Sequence, residues 1–313
     1  MESKRIIQLM ARAIVFVIVM AVIISWKKDA IPVGRITDYH QKAVTQFIVA
    51  GETRFAYRVL GDKPGIPLVM MSPLGSSMDD WDPAITNGLA QKYKVIIFDI
   101  QGAGASSGAT PDDIPDMGKG AVSFIKALGY SKVNLIGFSM GSFICQQIVL
   151  TEPALVNKMI LTGTGPKGSQ GLPDLPKLLT ALAGLTPKDT FLRFFFTPSV
   201  SSQRAGLSAY ERIQKRQVDR DRPVSSESAT AQVKAVLSWA QPNTDALKEL
   251  QSVTQPVLIA QGQKDIPVPL INAVNMVQSL PNAQLIVYPD AGHAAFFQYP
   301  DEFVRSAFKF LEE

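Results

Sequence analysis

A Gly-x-Ser-x-Gly pentapeptide between a predicted strand and a predicted helix constrains this chain more than any other feature. It runs from Gly137 to Gly141, with Ser139 at its centre. Before it, "KVNLIGF" is an apolar run typical of a buried strand, and after it "MGSFICQQIVL" has apolar residues at helical spacing. Flanking glycines let a strand and a helix approach closely while the serine points outward. This context favours a nucleophilic serine over a surface serine in a glycine-rich turn.

Predicted strands and helices alternate on both sides of this motif. An antiparallel hairpin is predicted from the alternating patterns "AVTQFIVAG" and "TRFAYRVLG". Further strands are predicted at 66–72, 93–100, 133–138, 156–165, 255–262 and 283–290, with helices at 117–129, 140–151, 269–279 and 301–311. This order predicts an α/β fold, a mostly parallel sheet with helices on both faces.

Residues 166–242 interrupt the alternation, because they contain helical runs and no predicted strand. An insertion at this point lies over the carboxyl ends of the strands, where open α/β sheets bind ligands. We therefore expect a core in two parts, 43–165 and 243–313, and a helical cap between them. The cap run "FLRFFF" (191–196) either walls an apolar acyl site or belongs to the core.

The amino terminus predicts an uncleaved membrane anchor in residues 1–30, followed by a linker over 31–42. The apolar stretch reaches a spanning length of about 20 residues over 6–25. Trp26 and two lysines follow it, with no typical cleavage site. Charge flanking favours a catalytic domain on the non-cytoplasmic side, and a cleaved signal with secretion is the alternative. His40 is expected to be an exposed linker residue.

Charge and cysteine content exclude several classes of function. Residues 1–30 carry five basic and two acidic side chains, so most of the net charge of +4 lies in this segment. The rest of the chain has too little excess positive charge to indicate nucleic-acid binding. Cys145 is the only cysteine, which excludes an internal disulfide and a cysteine-based metal cluster. We expect Cys145 to be a small buried apolar residue.

A nucleophilic serine needs a base and an acid that orients the base. His293 follows the last predicted strand, whereas the other histidine, His40, precedes the first. Asp265 follows the strand at 255–262, and Asp290 is expected to be a turn residue. The predicted catalytic residues are therefore Ser139, Asp265 and His293.

The chain resembles the α/β-hydrolase superfamily from about residue 44 to its end. The resemblance rests on "PLVMMSPLGSSMDDWDP", "VIIFDIQGAGASSG", "LIGFSMGSF", "LTGTGPKG", "IAQGQKDIPVP" and "YPDAGHAAFFQYPDEF". It implies an eight-stranded sheet, a helical cap, Ser-His-Asp chemistry and an oxyanion hole formed by the N–H groups of Leu74 and Met140. Ser72-Pro73 replaces the His-Gly that many relatives have before Leu74.

The expected function is hydrolysis of a carboxylic ester through an acyl-enzyme. The expected partner is a small-molecule ester or acyl substrate, and neither a metal nor an organic cofactor is implied. A cofactor-free perhydrolase or haloperoxidase-like activity, or C–C bond hydrolysis, is an alternative on the same triad. A binding protein without activity on this fold is a further alternative. The sequence does not indicate an oligomeric state.

Overall fold

The computed structural model describes residues 38–313, which form one eight-stranded sheet. The strands are β1 (Gln46–Ala50), β2 (Thr53–Leu60), β3 (Leu68–Met71), β4 (Val95–Phe98), β5 (Val133–Phe138), β6 (Val156–Thr162), β7 (Val257–Gly262) and β8 (Ala283–Tyr288). Their order is β1-β2-β4-β3-β5-β6-β7-β8, and only β1 and β2 pair antiparallel to their neighbours. The predicted mostly parallel sheet is confirmed.

Twelve α-helices accompany the sheet in the described residues. They are α1 (Tyr39–Lys42), α2 (Pro83–Leu89), α3 (Ile114–Ala127), α4 (Met140–Thr151), α5 (Leu175–Leu182), α6 (Pro187–Phe195), α7 (Val200–Ile213), α8 (Ser226–Trp239), α9 (Ala246–Leu250), α10 (Leu270–Ser279), α11 (Ala295–Gln298) and α12 (Pro300–Glu312). Short 3-10 turns lie at Met78–Asp80, Pro153–Leu155 and Leu172–Asp174.

Helices cover both faces of the sheet because neighbouring strand residues point to opposite sides. In β3, Val69 and Met71 join the apolar cluster that contains Phe124 of α3 and Phe143 of α4. Leu68 and Met70 of the same strand join the opposite cluster, which contains residues of α2 and α12. A strand that is apolar on both faces requires cover on both, as the sequence predicts.

The helices α5 to α8 follow β6, in the region predicted to form the cap. The helical runs predicted for residues 166–242 have counterparts there, and no strand lies between β6 and β7 in the described residues. Thr186, Ser199 and Ser225 cap the amino ends of α6, α7 and α8, each accepting a hydrogen bond from a backbone N–H three residues later. Side-chain caps thus define where these helices begin.

The membrane localisation predicted from the sequence is corrected by the structure. Among residues 38–313, no helix is long and apolar enough to cross a membrane. The helices there have at most 14 residues, which span about 21 Å against a hydrocarbon core of about 30 Å. The predicted anchor itself, residues 6–25, lies outside the described residues.

The expectation that His40 is an exposed linker residue is wrong. Its side chain is 1% exposed, because α1 packs against α2. The His40 backbone N–H donates to Asn87 Oδ1 at 2.7 Å, and its Nδ1 lies 2.9 Å from Thr86 Oγ1. The Nε2 atom faces Asp79, at 3.9 Å. Residue 40 is therefore part of the folded core and not of a linker.

We expect His40 to make the protein less stable in mild acid. Burial lowers the pKa of His40 from 6.5 to about 4, opposed by Asp79 and assisted by Arg58 and Arg216. The unfolded chain therefore takes up a proton near pH 6.5 and the folded chain only near pH 4, so the free energy of unfolding falls as the pH drops between these values. From pH 7 to pH 5 the expected loss from this group is about 2 kcal/mol.

Urea unfolding of the wild type and of His40→Gln at both pH values measures this loss. The variant should lose about 2 kcal/mol less than the wild type over the interval. Equal losses in the two proteins would assign the acid sensitivity to other groups.

Candidate active site

Ser139 lies at the junction between β5 and α4, in a backbone conformation that few non-glycine residues adopt. Its φ is 53° and its ψ is −119°. The Ser139 N–H donates to the carbonyl of Thr162 at 2.9 Å, and the Ser142 hydroxyl donates to the carbonyl of Gly137 at 2.7 Å. These bonds hold a sharp turn that raises residue 139 at the carboxyl end of the sheet.

The two glycines of the pentapeptide are required by the closeness of this turn. A Cβ at Gly137 would lie 2.5 Å from Ser142 Cα and 2.6 Å from the Ser142 amide nitrogen. A Cβ at Gly141 would overlap the carbonyl oxygen of Met71, at the end of β3. Only residues without a side chain fit at these two positions.

Asp265 and His293, which follow β7 and β8 respectively, are brought together by the fold. Asp265 Oδ2 lies 2.8 Å from His293 Nδ1, and both side chains are buried. The Val268 N–H donates to Asp265 Oδ1 at 2.9 Å, so both carboxylate oxygens accept hydrogen bonds. Because a carboxylate accepts from Nδ1–H, the neutral ring carries its lone pair on Nε2.

Gln261, which is not among the residues predicted from the sequence, also holds Asp265. Its Nε2 donates to Asp265 Oδ2 at 2.8 Å and to the Val268 carbonyl at 2.7 Å, while its Oε1 accepts from the Thr164 N–H at 3.0 Å. Gln261 therefore ties Asp265 to the loop after β6. Its position inside an otherwise apolar strand, "VLIAQG", is the signal that could have identified it.

Phe138, which precedes Ser139, and Gly163, which follows Thr162, lie against the His293 ring. The Phe138 ring centroid is 5.1 Å from that of His293. A Cβ at Gly163 would lie 2.8 Å from His293 Cε1. His293 Nε2 is buried and has no hydrogen-bond partner among residues 38–313, and no hydrogen bond to Ser139 is formed there. Catalytic hydrogen bonds are often long in enzymes without substrate and shorten when substrate binds.

The two predicted oxyanion donors follow neighbouring strands of the sheet, β3 and β5. Met140 begins α4, directly after Ser139, and Leu74 follows β3 in a turn that closes with a hydrogen bond from the Ser76 N–H to the Pro73 carbonyl at 3.3 Å. Trp81 Nε1 donates to Ser72 Oγ at 3.0 Å and so fixes the start of this turn. The Ser72-Pro73 departure from the family pattern thus forms an ordered turn.

Aromatic side chains of α6 cover His293 from the cap side. The Phe195 ring is stacked with His293 at 6.0 Å and an interplanar angle of 4°, and Phe194 meets it edge-on at 5.7 Å. Arg193, which precedes these two residues, is exposed. These rings place an apolar surface beside the predicted base.

Asp290 is a turn residue, as predicted, with φ at 49°. Its carboxylate accepts hydrogen bonds from Ser199 Oγ at 2.5 Å and from Thr197 Oγ1 at 3.1 Å, and it pairs with Lys264 at 2.9 Å. The Ser199 hydroxyl and the Lys264 ammonium hold the pKa of Asp290 below its usual range. Asp290 thereby fastens the loop of His293 to the start of α7.

No group of three or more His, Cys, Asp or Glu side chains suited to a metal ion occurs in residues 38–313. That the reaction uses neither a metal nor a cofactor stays a prediction.

Cys145 is buried in the core, and burial raises the pKa of its thiol.

Comparisons with known proteins agree with this architecture. The family model described as the alpha/beta hydrolase fold matches residues 66–300, which is more than half of the chain. The solved structure of an alpha/beta hydrolase fold protein from Chitinophaga pinensis is 38% identical, with a TM-score of 0.85 over 88% of this chain and 99% of that chain.

Two curated relatives match at lower identity. A protein of Mycobacterium tuberculosis, whose name describes a non-heme bromoperoxidase, is 26% identical over 79% of this chain and 94% of its own length. A pimeloyl-[acyl-carrier protein] methyl ester esterase of Nitrosomonas europaea is 26% identical over 77% of this chain and 93% of its own length. The topology of the sheet and the position of Ser139 between a strand and a helix agree with the family model. The chain therefore belongs to the α/β-hydrolase fold family and is a hydrolase.

Proposed function

We propose that this protein is a serine hydrolase that cleaves carboxylic esters of small molecules. The Ser139 oxygen attacks the ester carbonyl carbon while His293 Nε2 takes the hydroxyl proton. The same proton passes to the leaving alcohol as the ester C–O bond breaks. A water molecule then attacks the acyl-enzyme with His293 as base, which releases the acid and restores Ser139.

One observation carries this proposal: a buried carboxylate–imidazole pair lies beside a serine in a strained turn. Asp265 accepts from His293 at 2.8 Å, and the opposite ring nitrogen, Nε2, is unpartnered among the described residues. Such a ring is oriented to accept a proton at Nε2 and is stabilised by Asp265 once it becomes a cation.

The oxyanion of the tetrahedral intermediate is assigned to the Leu74 and Met140 N–H groups. Neither amide donates a hydrogen bond to another described residue. The amino end of α4 adds the positive end of the helix dipole at Met140. Backbone donors that are already oriented toward the developing oxyanion stabilise the transition state of acyl transfer.

The acyl group of the substrate is proposed to be apolar. Phe194 and Phe195 cover His293, and Phe194 and Leu74 pack together with cap and core residues in one apolar cluster.

We also propose the division into a core of residues 43–165 and 243–313 and a cap of residues 166–242, supported by the all-helical region after β6.

Active-site labelling tests this proposal directly. A fluorophosphonate probe should add one phosphonyl group to the wild-type protein, as measured by intact mass, and none to Ser139→Ala. Short-chain nitrophenyl esters should be hydrolysed by the wild type, and Ser139→Ala should lower kcat by about 10⁵-fold to 10⁶-fold. Ser131→Ala, at an exposed serine, is the matched control and should behave as the wild type.

A folded wild-type protein that is neither labelled nor active on these esters would contradict the proposal.

The similarity to a protein named as a non-heme bromoperoxidase favours perhydrolysis as a second candidate. The same esterase assay, run with acetate and hydrogen peroxide in place of the ester, separates the two. Peracetic acid formation that depends on Ser139 and exceeds ester turnover would support the second candidate.

A further inference from the structure

We propose that Gln232, on helix α8, is a positioning residue for the oxyanion hole. It holds the turn that carries Leu74, so that a helix of the cap region becomes part of the catalytic apparatus without touching the substrate. This inference rests on the proposed function for the identity of the donor. The contact itself is independent of that function.

The contact is a partly buried hydrogen bond between the turn after β3 and helix α8. The Gly75 N–H donates to Gln232 Oε1 at 2.7 Å, and the Gln232 side chain is 1% exposed. Gln232 Nε2 donates in turn to Ser228 Oγ at 3.2 Å, and Ser228 Oγ lies 2.6 Å from Thr110 Oγ1. The amide group of Gln232 is thus fixed at both ends, and its oxygen is aimed at the turn.

This hydrogen bond pairs the amide next to the predicted oxyanion donor. Gly75 and Leu74 are consecutive, and Gln232 occupies the Gly75 N–H. The Leu74 N–H remains without a partner in the described part of the chain. Gly75 has a φ of 76°, and no atom lies within 4 Å of the place where a Cβ would be, so no side chain restrains this residue. Since an oxyanion donor must lie within about 2.7–3.1 Å of the oxyanion, a restraint on this peptide matters for catalysis.

Helix α8 is a suitable support because it also contacts the helix of the nucleophile. The Trp239 ring stacks on Phe143 of α4, with centroids 5.4 Å apart and an interplanar angle of 12°. Helix α4 begins at Met140, the other predicted donor. One rigid helix therefore contacts the elements that carry both donors, and it sets their separation.

Two substitutions separate the hydrogen bond from the packing. Gln232→Met keeps the length of the side chain and removes the acceptor, whereas Gln232→Glu keeps an oxygen facing the Gly75 N–H. Gln203→Met is the matched control: Gln203 lies on α7 and donates to the carbonyl of Thr197 at 2.8 Å, away from the turn. The proteins are compared by ester kinetics, by the rate of fluorophosphonate labelling and by amide hydrogen exchange at Gly75.

We expect Gln232→Met to lower kcat and the labelling rate by about tenfold to 100-fold, less than the outright loss of a donor, with KM changed by less than about twofold. Exchange at Gly75 should accelerate by at least about tenfold in this variant. Gln232→Glu should recover most of the wild-type kcat and most of the wild-type protection from exchange at Gly75. Gln203→Met should match the wild type. A structural role alone would lower the melting temperature without this division between kcat and KM.

Gln232→Met with wild-type kcat and wild-type exchange at Gly75 would overturn the inference. A failure of the proposed function looks different. The wild type would then resist labelling, while exchange at Gly75 would still depend on residue 232. That result would contradict ester hydrolysis and support the contact between α8 and the turn.

Discussion

Asp265→Asn should lower kcat for ester hydrolysis by about 10⁴-fold while the protein stays folded. The Val268 N–H donates to Asp265 Oδ1, and an asparagine that keeps this bond has its carbonyl oxygen there and gives up the bond from Gln261 Nε2 to Oδ2. Its amide NH₂ then faces His293 Nδ1 and donates to it. The ring is held in the tautomer with the proton on Nε2, which cannot accept the proton of Ser139.

Steady-state kinetics with a nitrophenyl ester measure this effect, with circular dichroism to establish folding. Asp62→Asn makes the same chemical change at an exposed carboxylate and should leave kcat unchanged. Asp265→Asn with kcat within about tenfold of the wild type would remove Asp265 from its assigned role. The carboxylate that orients the base would then have to be another.

Gly141→Ala should prevent the protein from folding stably, with a loss above about 3 kcal/mol. The added Cβ would overlap the carbonyl oxygen of Met71. Met71 cannot move away, because β3 is paired with β5 on one side and β4 on the other. The clash is with backbone in the centre of the sheet, so a change of rotamer cannot relieve it.

Gly120→Ala is the matched control, since it is the same substitution in the interior of helix α3. The nearest atom to a Cβ there is Phe55 Cζ, at 3.9 Å. It should stabilise the protein by about 0.5–1 kcal/mol, because alanine loses less conformational freedom on folding. Thermal unfolding distinguishes the two variants: a melting temperature of Gly141→Ala within about 3 °C of the wild type would contradict the close approach of β3 and α4.

The sequence was sufficient for the fold because local patterns determine the elements. Apolar runs and helical spacing predicted all eight strands and the helices α3, α4, α10 and α12, within a few residues. The short helices α1, α9 and α11 have too few residues to show a period, and they form through contacts with the rest of the chain. The predicted eight-stranded α/β-hydrolase fold is confirmed.

The site could be predicted in part, because few residue types can do acyl transfer. Two histidines left one candidate base, and the strand order left one candidate acid at a strand end. The structure brings Asp265 and His293 to 2.8 Å, while their catalytic roles and that of Ser139 remain proposals to be tested. Gln232 has no distinctive spacing and its partner Gly75 is far away in the sequence, so no local pattern indicates it, whereas Gln261 is indicated only by its polar side chain in an apolar strand.

His40 shows the same limit of prediction from the sequence, because it was expected to be exposed and is buried. Its neighbours in the sequence suggest a linker, yet its partners are Thr86 and Asn87, more than forty residues away. Local polarity determined the order of strands, helices and turns, and with it the positions where chemistry can occur. Only the tertiary structure decided which polar groups are buried and paired, because burial depends on contacts between segments that are distant along the chain.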